Sequence, residues 1–556
     1  MAPHLLIGPL LRRIVGTRAT IWVETTAPAT VRVEVEGGGA GSATTFSAYG
    51  HHYALVIVER LTPDTAAAYR VFLDDRQVWP AAGTPYPPSV IRTRGEGEDD
   101  GPVRLIFGSC REATPHSTAR HLPPDALDAY ARRMMAGSTG PDLIVLLGDQ
   151  VYADNTSTKV KRFLRRRRAA GHQGPVDQVV TFDEYTKLYL ESWRDPEIRW
   201  LLSTVPSVMI FDDHELIDDW NTSHSWREDM AAQPWWVERI TGGLASYWVY
   251  QHLGNLSPDE LESDPLYPKV TAAEDATVML HDFGRTVDTA DVDRYRWSFA
   301  LDLGRTRLVM LDNRCNRVLA PGAREMLPAQ EWQWFVDQAH GDYDHLVVGS
   351  SLPWLLPPAI HHLEAWNERR ADSPSPRVAA RAEKIRRAFD LEHWAAFGRS
   401  FGALGELFRH LASGDPDAPG NRVGAGGAYR PPATISVLSG DVHHSYVAQA
   451  SLGTATPVMQ LTCSPVHNQV PAFMRPLMRF AWSRVAARGV GAVARSAGVA
   501  RPAWRWKRLA GPYFGNAVST LLLTGPTATA TVEGTSKDGH LFSVAEVSYP
   551  GQDDHR

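Results

Sequence analysis

The chain has 556 residues, a length that points to two or more packed units. Its 43% hydrophobic, 22% charged and 9% aromatic make-up is that of a globular protein and excludes a disordered, collagen-like or disulfide-stapled one. A net charge of −6 gives no global pull toward nucleic acid, and no run approaches the roughly 18 consecutive apolar residues of a membrane span. Only seven of the 57 basic residues are Lys, the habit of a GC-rich genome, so an Arg cluster by itself says little. Cys110, Cys315 and Cys463 lie far apart with no CxxC pair, which argues against a secreted disulfide framework. Leu5–Leu11 precedes Arg12-Arg13, the reverse of an export signal's order. The expectation is a cytoplasmic protein, in which the Asn155 and Asn221 sequons have no use.

The first stretch reads as all-β. Ala19–Glu24, Val31–Val35, Tyr53–Val58 and Ala68–Leu73 are short, alternating, β-branched runs separated by turn signals. Leu61-Thr62-Pro63-Asp64-Thr65, followed by a Tyr-bearing strand, resembles a turn of a fibronectin-type sandwich. The acidic, glycine-rich Gly95–Gly101 is read as a hinge, placing an N-terminal β-sandwich over 1–98 and a second domain over 99–556. Beyond it the apolar runs become continuous, and each ends in a polar cluster. Val103–Phe107 leads to Gly-Ser-Cys, Leu143–Leu147 to Gly-Asp, and Val208–Phe211 to Asp-Asp-His-Glu. Leu308–Leu311 leads to Asp-Asn-Arg, Leu346–Val348 to Gly-Ser-Ser, and Ile435–Leu438 to Ser-Gly-Asp-Val-His-His. Such runs are strands buried on both faces, and polar residues gathered at their ends are the usual geometry of an α/β active site. Asp125–Met135, Asn221–His252 and Arg369–Leu411 read as helical; Val518–Thr524, Ala528–Val532 and Leu541–Val547 read as returning strands.

Several strand ends carry side chains that suit cations. Asp149, in Gly148-Asp149-Gln150-Val151-Tyr152, is placed to bridge two ions, with the Tyr152 phenol three residues on. Asp212-Asp213-His214-Glu215 gathers three carboxylates and an imidazole, a like-charge burden that costs several kcal/mol per uncompensated ion and that cations relieve most simply. Gly440-Asp441-Val442-His443-His444 adds a carboxylate and an imidazole, and Cys110 one thiolate candidate.

Taken in order, Gly-Ser-Cys, Gly-Asp-x-x-Tyr, Asp-Asp-His-Glu and Gly-Asp-x-His-x-Ser resemble the PhoD-like alkaline phosphatase and phosphodiesterase branch of the calcineurin-like metallophosphatases, over roughly residues 100 to 550. The resemblance implies an α/β fold: a fibronectin-like β-sandwich followed by a four-layer αββα metallophosphatase domain. It also implies a dinuclear centre bridged by Asp149. Cys110, Tyr152 and His443 then face a first metal, Fe(III), which thiolate and phenolate suit. Asp213 and Asp441 face a second, Ca²⁺ or another divalent cation, which an all-carboxylate set suits. His214 corresponds to the residue that protonates the leaving oxygen, while a metal-activated water attacks the phosphate ester in line. Asp218 and Asp219 stand where relatives often carry Asn, an excess of negative charge that would recruit another Ca²⁺ or disfavour very anionic substrates. Arg314 is read either as a substrate contact or as a structural ion pair.

Two basic segments are set aside. Lys159–Arg168 has no stacking aromatic beyond Phe163 and reads as a solvated helix or loop, and no stable nucleic-acid partner is expected. Met474–Arg508 is basic and Trp-bearing but broken by Gly and Pro, so it reads as a cap over the catalytic domain before it reads as a membrane-surface helix. His361 reads as a surface or core histidine. The competing function class is a catalytically silent phosphatase-fold protein that binds polyanions or an anionic membrane surface.

Overall fold

The computed structural model describes residues 2–95, 101–112, 122–289, 295–414 and 430–550. Most of the expected hinge falls outside that set. Nine strands precede it: β1 (Leu5–Val15), β2 (Arg18–Thr25), β3 (Thr30–Val35), β4 (Ala40–Thr44), β5 (Phe46–Ala48), β6 (His51–Val58), β7 (Ala66–Leu73), β8 (Arg76–Trp79) and β9 (Val90–Arg92). They form two antiparallel sheets, β1-β2-β6-β5 and β4-β3-β7-β8, with β9 added to β7. Alternation makes the inner face. In β3, Val31, Val33 and Val35 are buried and Glu34 is exposed. The apolar run after Leu5 is the start of this sandwich's first strand.

Among the described residues the second region contains thirteen strands: β10 (Val103–Gly108), β11 (Leu143–Leu147), β12 (Ser207–Ile210), β13 (Phe299–Leu303), β14 (Thr306–Leu311), β15 (His345–Ser350), β16 (Thr434–Ser439), β17 (Ser445–Ser451), β18 (Val458–Thr462), β19 (Arg505–Tyr513), β20 (Ala517–Thr524), β21 (Thr527–Thr535) and β22 (Leu541–Tyr549). One sheet runs β12-β11-β10-β20-β21-β22 and the other β13-β14-β15-β16-β18-β17-β19. Strands β10, β11 and β12 are mutually parallel, as are β14, β15, β16 and β18. The absence of alternation in their sequences has a direct cause. Leu143, Val145 and Leu147 of β11 face the core between the sheets, while Ile144 and Leu146 face the outer helical layer. Likewise Leu308 and Met310 of β14 point inward, and Val309 and Leu311 into the opposite outer layer.

The helical expectations need refinement. Asn221–His252 is two helices, His224–Ala231 and Trp236–Tyr247, the second widening into a π-type turn over Trp248–His252. Arg369–Leu411 spans the end of Pro358–Ala371 and then Pro376–Ala388 and Gly398–Ser413, because prolines at helix starts and the loop around Leu391 divide it. Strands β13, β17, β18 and β19 were not expected. Arg505–Arg508, read as part of the basic cap, belongs to β19, in which Arg505, Lys507 and Arg508 are exposed.

The two regions share a core. Ile7, Trp22, Phe46 and Tyr53 of the N-terminal sheet join Tyr189, Trp193 and Tyr250 of the helical layer, and Tyr189 stacks on Tyr250 at 4.0 Å. Arg12 is fully buried and donates from Nε to Ser207 O at 3.0 Å and from Nη2 to Gln251 O at 2.8 Å. Among the described residues no helix is long and apolar enough to cross a membrane.

Candidate metal centre

The loops that follow β10, β11, β12, β14 and β16 meet at the C-terminal ends of the parallel strands. Two glycines let them close. Gly148 has φ +100°, and a Cβ there would sit 2.4 Å from Asp212 Cβ; a Cβ on Gly440 would sit 2.0 Å from Ser109 Oγ. Four of the side chains singled out in the sequence are presented from left-handed backbone: Cys110 (φ 57°), Asp149 (φ 54°), Asp441 (φ 63°) and His443 (φ 50°). Left-handed residues of this kind cost roughly 1–2 kcal/mol each, so the surrounding contacts must hold them.

Those contacts are specific. The Cys110 amide donates to Gly148 O at 3.3 Å, and the Arg111 amide to Asp149 O at 3.0 Å. Arg111 Nε donates to Asp125 Oδ2 at 2.8 Å, and Asp125 also caps the helix Ala126–Met135. Glu215 receives the amides of Asp149 (3.0 Å), Gln150 (2.7 Å) and Asp212 (3.0 Å), together with Nε2 of Gln251 at 3.1 Å. Ser109 Oγ accepts from the Asp441 amide at 2.9 Å, and Ser464 Oγ from the His443 amide at 3.1 Å.

Arg314 is fully buried and donates through Nε to Asp212, while its Nη1 lies 2.6 Å from Glu392 Oε2. Its Nη2 stands 3.6 Å from Asp213 Oδ1 and 3.7 Å from Asp441 Oδ1. Of the two readings of Arg314, the geometry is that of the ion pair, with Asp212 and Glu392 as its partners. This revises the charge argument for Asp-Asp-His-Glu: backbone amides satisfy Glu215 and Arg314 holds one oxygen of Asp212, so Asp213 and the unpartnered Oδ2 of Asp212 are what remain for a cation.

One donor atom each from Asp149, Asp213 and His214 lies within 4.8 Å of the others, as does one each from Asp149, Asp212, Asp213 and Asp441. Tyr152 OH is 3.5 Å from Asp149 Oδ2. Cys110 and His443 stand beside these groups rather than in them; Cys110 Sγ is 3.6 Å from the Asp441 carbonyl oxygen. Burial, followed by the charges of Asp149 and Asp441, pushes the Cys110 thiol up, and burial also pushes the Tyr152 phenol and the Asp149 carboxyl up. Burial lowers His443 to about 4, leaving a neutral imidazole with a free lone pair.

His214 is different. Burial opposes its charge, but Asp154, Asp149 and Asp213 outweigh burial and raise it well above the ordinary histidine range. Nδ1 lies 2.9 Å from Asp154 Oδ1, and Nε2 lies 3.7 Å from Asp218 Oδ1. Burial and its acidic neighbours Glu392, Asp390 and Asp218 push Asp219 up to about 9, which lessens the negative charge it brings to the centre. Its amide donates to Asp213 Oδ2 at 2.9 Å.

Sequence reasoning missed Asp154, His393, Glu364, Glu392 and Asn468. Nε2 of His393 lies 3.2 Å from Asp441 Oδ2 and its Nδ1 2.7 Å from the buried Glu364 Oε1. Asn468 Nδ2 donates to Tyr152 OH at 3.0 Å. Asp154, five residues after Asp149, carried a local signal; the others reach the centre from distant loops and from the helix Pro358–Ala371, and carried none. The donor set fits cations, because Asp149 Oδ1 is buried without a hydrogen-bond partner and faces further carboxylates.

Two face-to-face sheets between helices, with carboxylates and imidazoles gathered where parallel strands end, are the frame of a metal-dependent α/β hydrolase. Residues 115–381 match the family model described as PhoD-like phosphatase, and residues 2–91 match one described as a domain of unknown function, DUF7800. Residues 115–381 are a PhoD-like phosphatase domain, which makes the protein a phosphoric ester hydrolase of a family that depends on metal. The matched span stops short of Cys110, Asp441 and His443, and is narrower than the motifs alone indicated. A solved structure titled "Structure of PhoD" aligns with a TM-score of 0.59 and 12% identity, covering 97% of this chain and 89% of that one, and speaks for the fold. A maltogenic amylase structure aligns at a TM-score of only 0.18 and 8% identity and bears on nothing here. No curated protein matches the chain.

Proposed function

We propose that the chain hydrolyses phosphate mono- or diesters at a two-cation centre bridged by Asp149. Cys110, Tyr152 and His443 hold one ion, for which Fe(III) suits the thiolate and phenolate. Asp213 and Asp441 hold the other, for which Ca²⁺ or a similar hard cation suits the carboxylates. The observation that carries this reading is the convergence of Asp149, Asp213 and Asp441 donors within 4.8 Å beside the imidazole of His214, which Asp154 holds through Nδ1. Bound there, the cations would draw charge from the phosphate oxygens and acidify an attacking water.

The chain's own residues do the rest. His214 holds a proton at the partly open edge of the centre, fixed through Nδ1 by Asp154, and its Nε2 side is the one from which a leaving oxygen receives that proton. Glu215 and Arg314 keep the loops of β11 and β12 in register without touching substrate. His393 holds one oxygen of Asp441 and leaves the other to the centre. In the same reading the chain divides near residue 98, with 1–98 as the β-sandwich and 99–556 as the catalytic domain.

The test is metal analysis joined to a turnover screen across monoesters, diesters and phospholipids, with added Ca²⁺ and with chelator. Metal-dependent turnover of one ester class is expected. Full metal occupancy with no turnover of any ester would overturn the reading in favour of a silent phosphatase fold.

A further inference from the structure

The helices Met474–Ala481 and Arg484–Ser496 have two apolar sides, and only one of them is used. Their inner side is shallow: Ala481 and Ala486 rest against Ala359 of the helix Pro358–Ala371. The aromatic residues nearby also turn inward. Trp482 meets Tyr446 edge-on, Trp504 packs in the core against Trp354 and Phe401, and Trp506 Nε1 donates to Leu356 O at 2.8 Å. The inner side therefore accounts for the capping role expected of this segment.

The outer side is unexplained by that role. Phe473, Leu477, Phe480, Val485 and Val493 are each more than half exposed, Phe473 at 77%. Phe473, Leu477 and Phe480 recur at i, i+4 and i+7, and Val485 and Val493 at i and i+8, so each set lies on one helical face. Between Met474 and Arg508 there are eight Arg and one Lys and no carboxylate at all. Arg479, Arg484, Arg488 and Arg495 are exposed on the same two helices.

We propose that this outer face docks on an anionic lipid surface. Its chemistry meets both halves of such a surface at once: aliphatic and phenyl side chains enter the boundary of the acyl region, and the flanking guanidiniums meet the headgroup phosphates. A second copy of the chain would bring the same uncompensated cations face to face across a two-fold axis. A nucleic acid would engage the arginines and leave five apolar side chains in water. The face is tied to the proposed centre by a short stretch of chain: Asn468, which holds Tyr152, is five residues before Phe473. Docking would thus hold the mouth of the centre beside the surface, whichever ester it cleaves.

The test uses the full chain and large unilamellar vesicles of phosphatidylcholine, with and without a third of phosphatidylserine, in a sedimentation assay. Binding to the phosphatidylserine vesicles is expected, with loss at high salt. The combined variant Phe473→Ser, Leu477→Ser, Phe480→Ser should weaken that binding by about tenfold or more. Its turnover of a soluble p-nitrophenyl ester should match the parent's, which shows that the variant is folded. Failure of the parent to bind either vesicle would overturn the proposal, as would vesicle binding that the variant retains in full. Concentration-dependent self-association abolished by the variant, without vesicle binding, would reassign the face to a second copy. Salt-sensitive binding to duplex DNA that exceeds vesicle binding would reassign it to a polyanion.

Discussion

Asp154 Oδ1 lies 2.9 Å from Nδ1 of His214, so one carboxylate both raises the basicity of the imidazole and turns its other nitrogen toward Asp218 and the open edge. Asp154 is not among the proposed ligands, so its hold on the His214 proton persists in the metal-loaded centre, and turnover should fall as pH rises through the His214 pKa. Asp154→Asn should move this fall to lower pH without loss of metal. His214→Ala should keep metal and lose about 10²–10⁴-fold for esters with poor leaving groups, and least for a nitrophenolate. Rate profiles across a leaving-group series check both; an equal loss at every leaving group would make His214 a substrate-positioning residue.

If Cys110 and Tyr152 bind Fe(III), the aerobically purified protein should be coloured by charge transfer from ligand to metal. Tyr152→Phe should remove the phenolate band, whereas Cys110→Ser should leave it and weaken iron retention. A chelator selective for Ca²⁺ should abolish turnover while the colour stays. Absorbance spectra with metal analysis decide this, and a colourless, iron-free protein with full turnover would overturn the metal assignment.

His393 bridges Asp441 and the buried Glu364, the arrangement by which an outer carboxylate and imidazole orient a metal-binding group. His393→Gln should raise the Ca²⁺ concentration needed for half-maximal activity by about 10–100-fold. Saturating Ca²⁺ should restore kcat, and Glu364→Gln should give the same effect in weaker form. A kcat loss that excess Ca²⁺ does not restore would place His393 on the substrate instead.

A pH dependence of stability is built into the contact between the N-terminal sandwich and the helical layer. His51 Nδ1 lies 3.0 Å from the buried Glu24 Oε1, and its Nε2 lies 3.4 Å from Asp183 Oδ1 across that contact. Burial opposes the charged ring, but hydrogen bonds to Asp183 and Glu24 push His51 up to about 9. A histidine raised on folding stabilises fully below its unfolded pKa near ~6.5. That contribution is lost as pH rises through about 9. The thermal midpoint should therefore fall between neutral and alkaline pH, and fall less in His51→Gln. Calorimetric scans at the two pH values check it.

What could be seen from the sequence divides along a physical line. Strands buried on both faces announce themselves as runs such as Leu143–Leu147, and polar residues at their ends follow in the same breath, so Asp149, Asp213 and Asp441 were visible. Strands with mixed faces, such as Arg505–Tyr513, carry no such run and were read as part of a cap. The partners that hold the centre were hidden for another reason. His393 reaches Asp441 across 48 residues and Asn468 reaches Tyr152 across 316, distances over which spacing carries no information. The role of Glu215 was misjudged because a carboxylate beside two others suggests cations until the amides of Asp149, Gln150 and Asp212 are seen pointing at it.

The left-handed turns at Cys110, Asp149, Asp441 and His443 set a direction for drift. Each presents its donor from a conformation that glycine adopts freely and that other residues adopt at a cost. A lineage relieved of the need for turnover could ease that strain with glycine wherever the lost side chain leaves no buried partner unpaired, as Asp441 would leave His393, and would shed those ligands for the sake of the fold alone. Silence in such a lineage would arrive as a gain in melting temperature before it was noticed as a loss of chemistry.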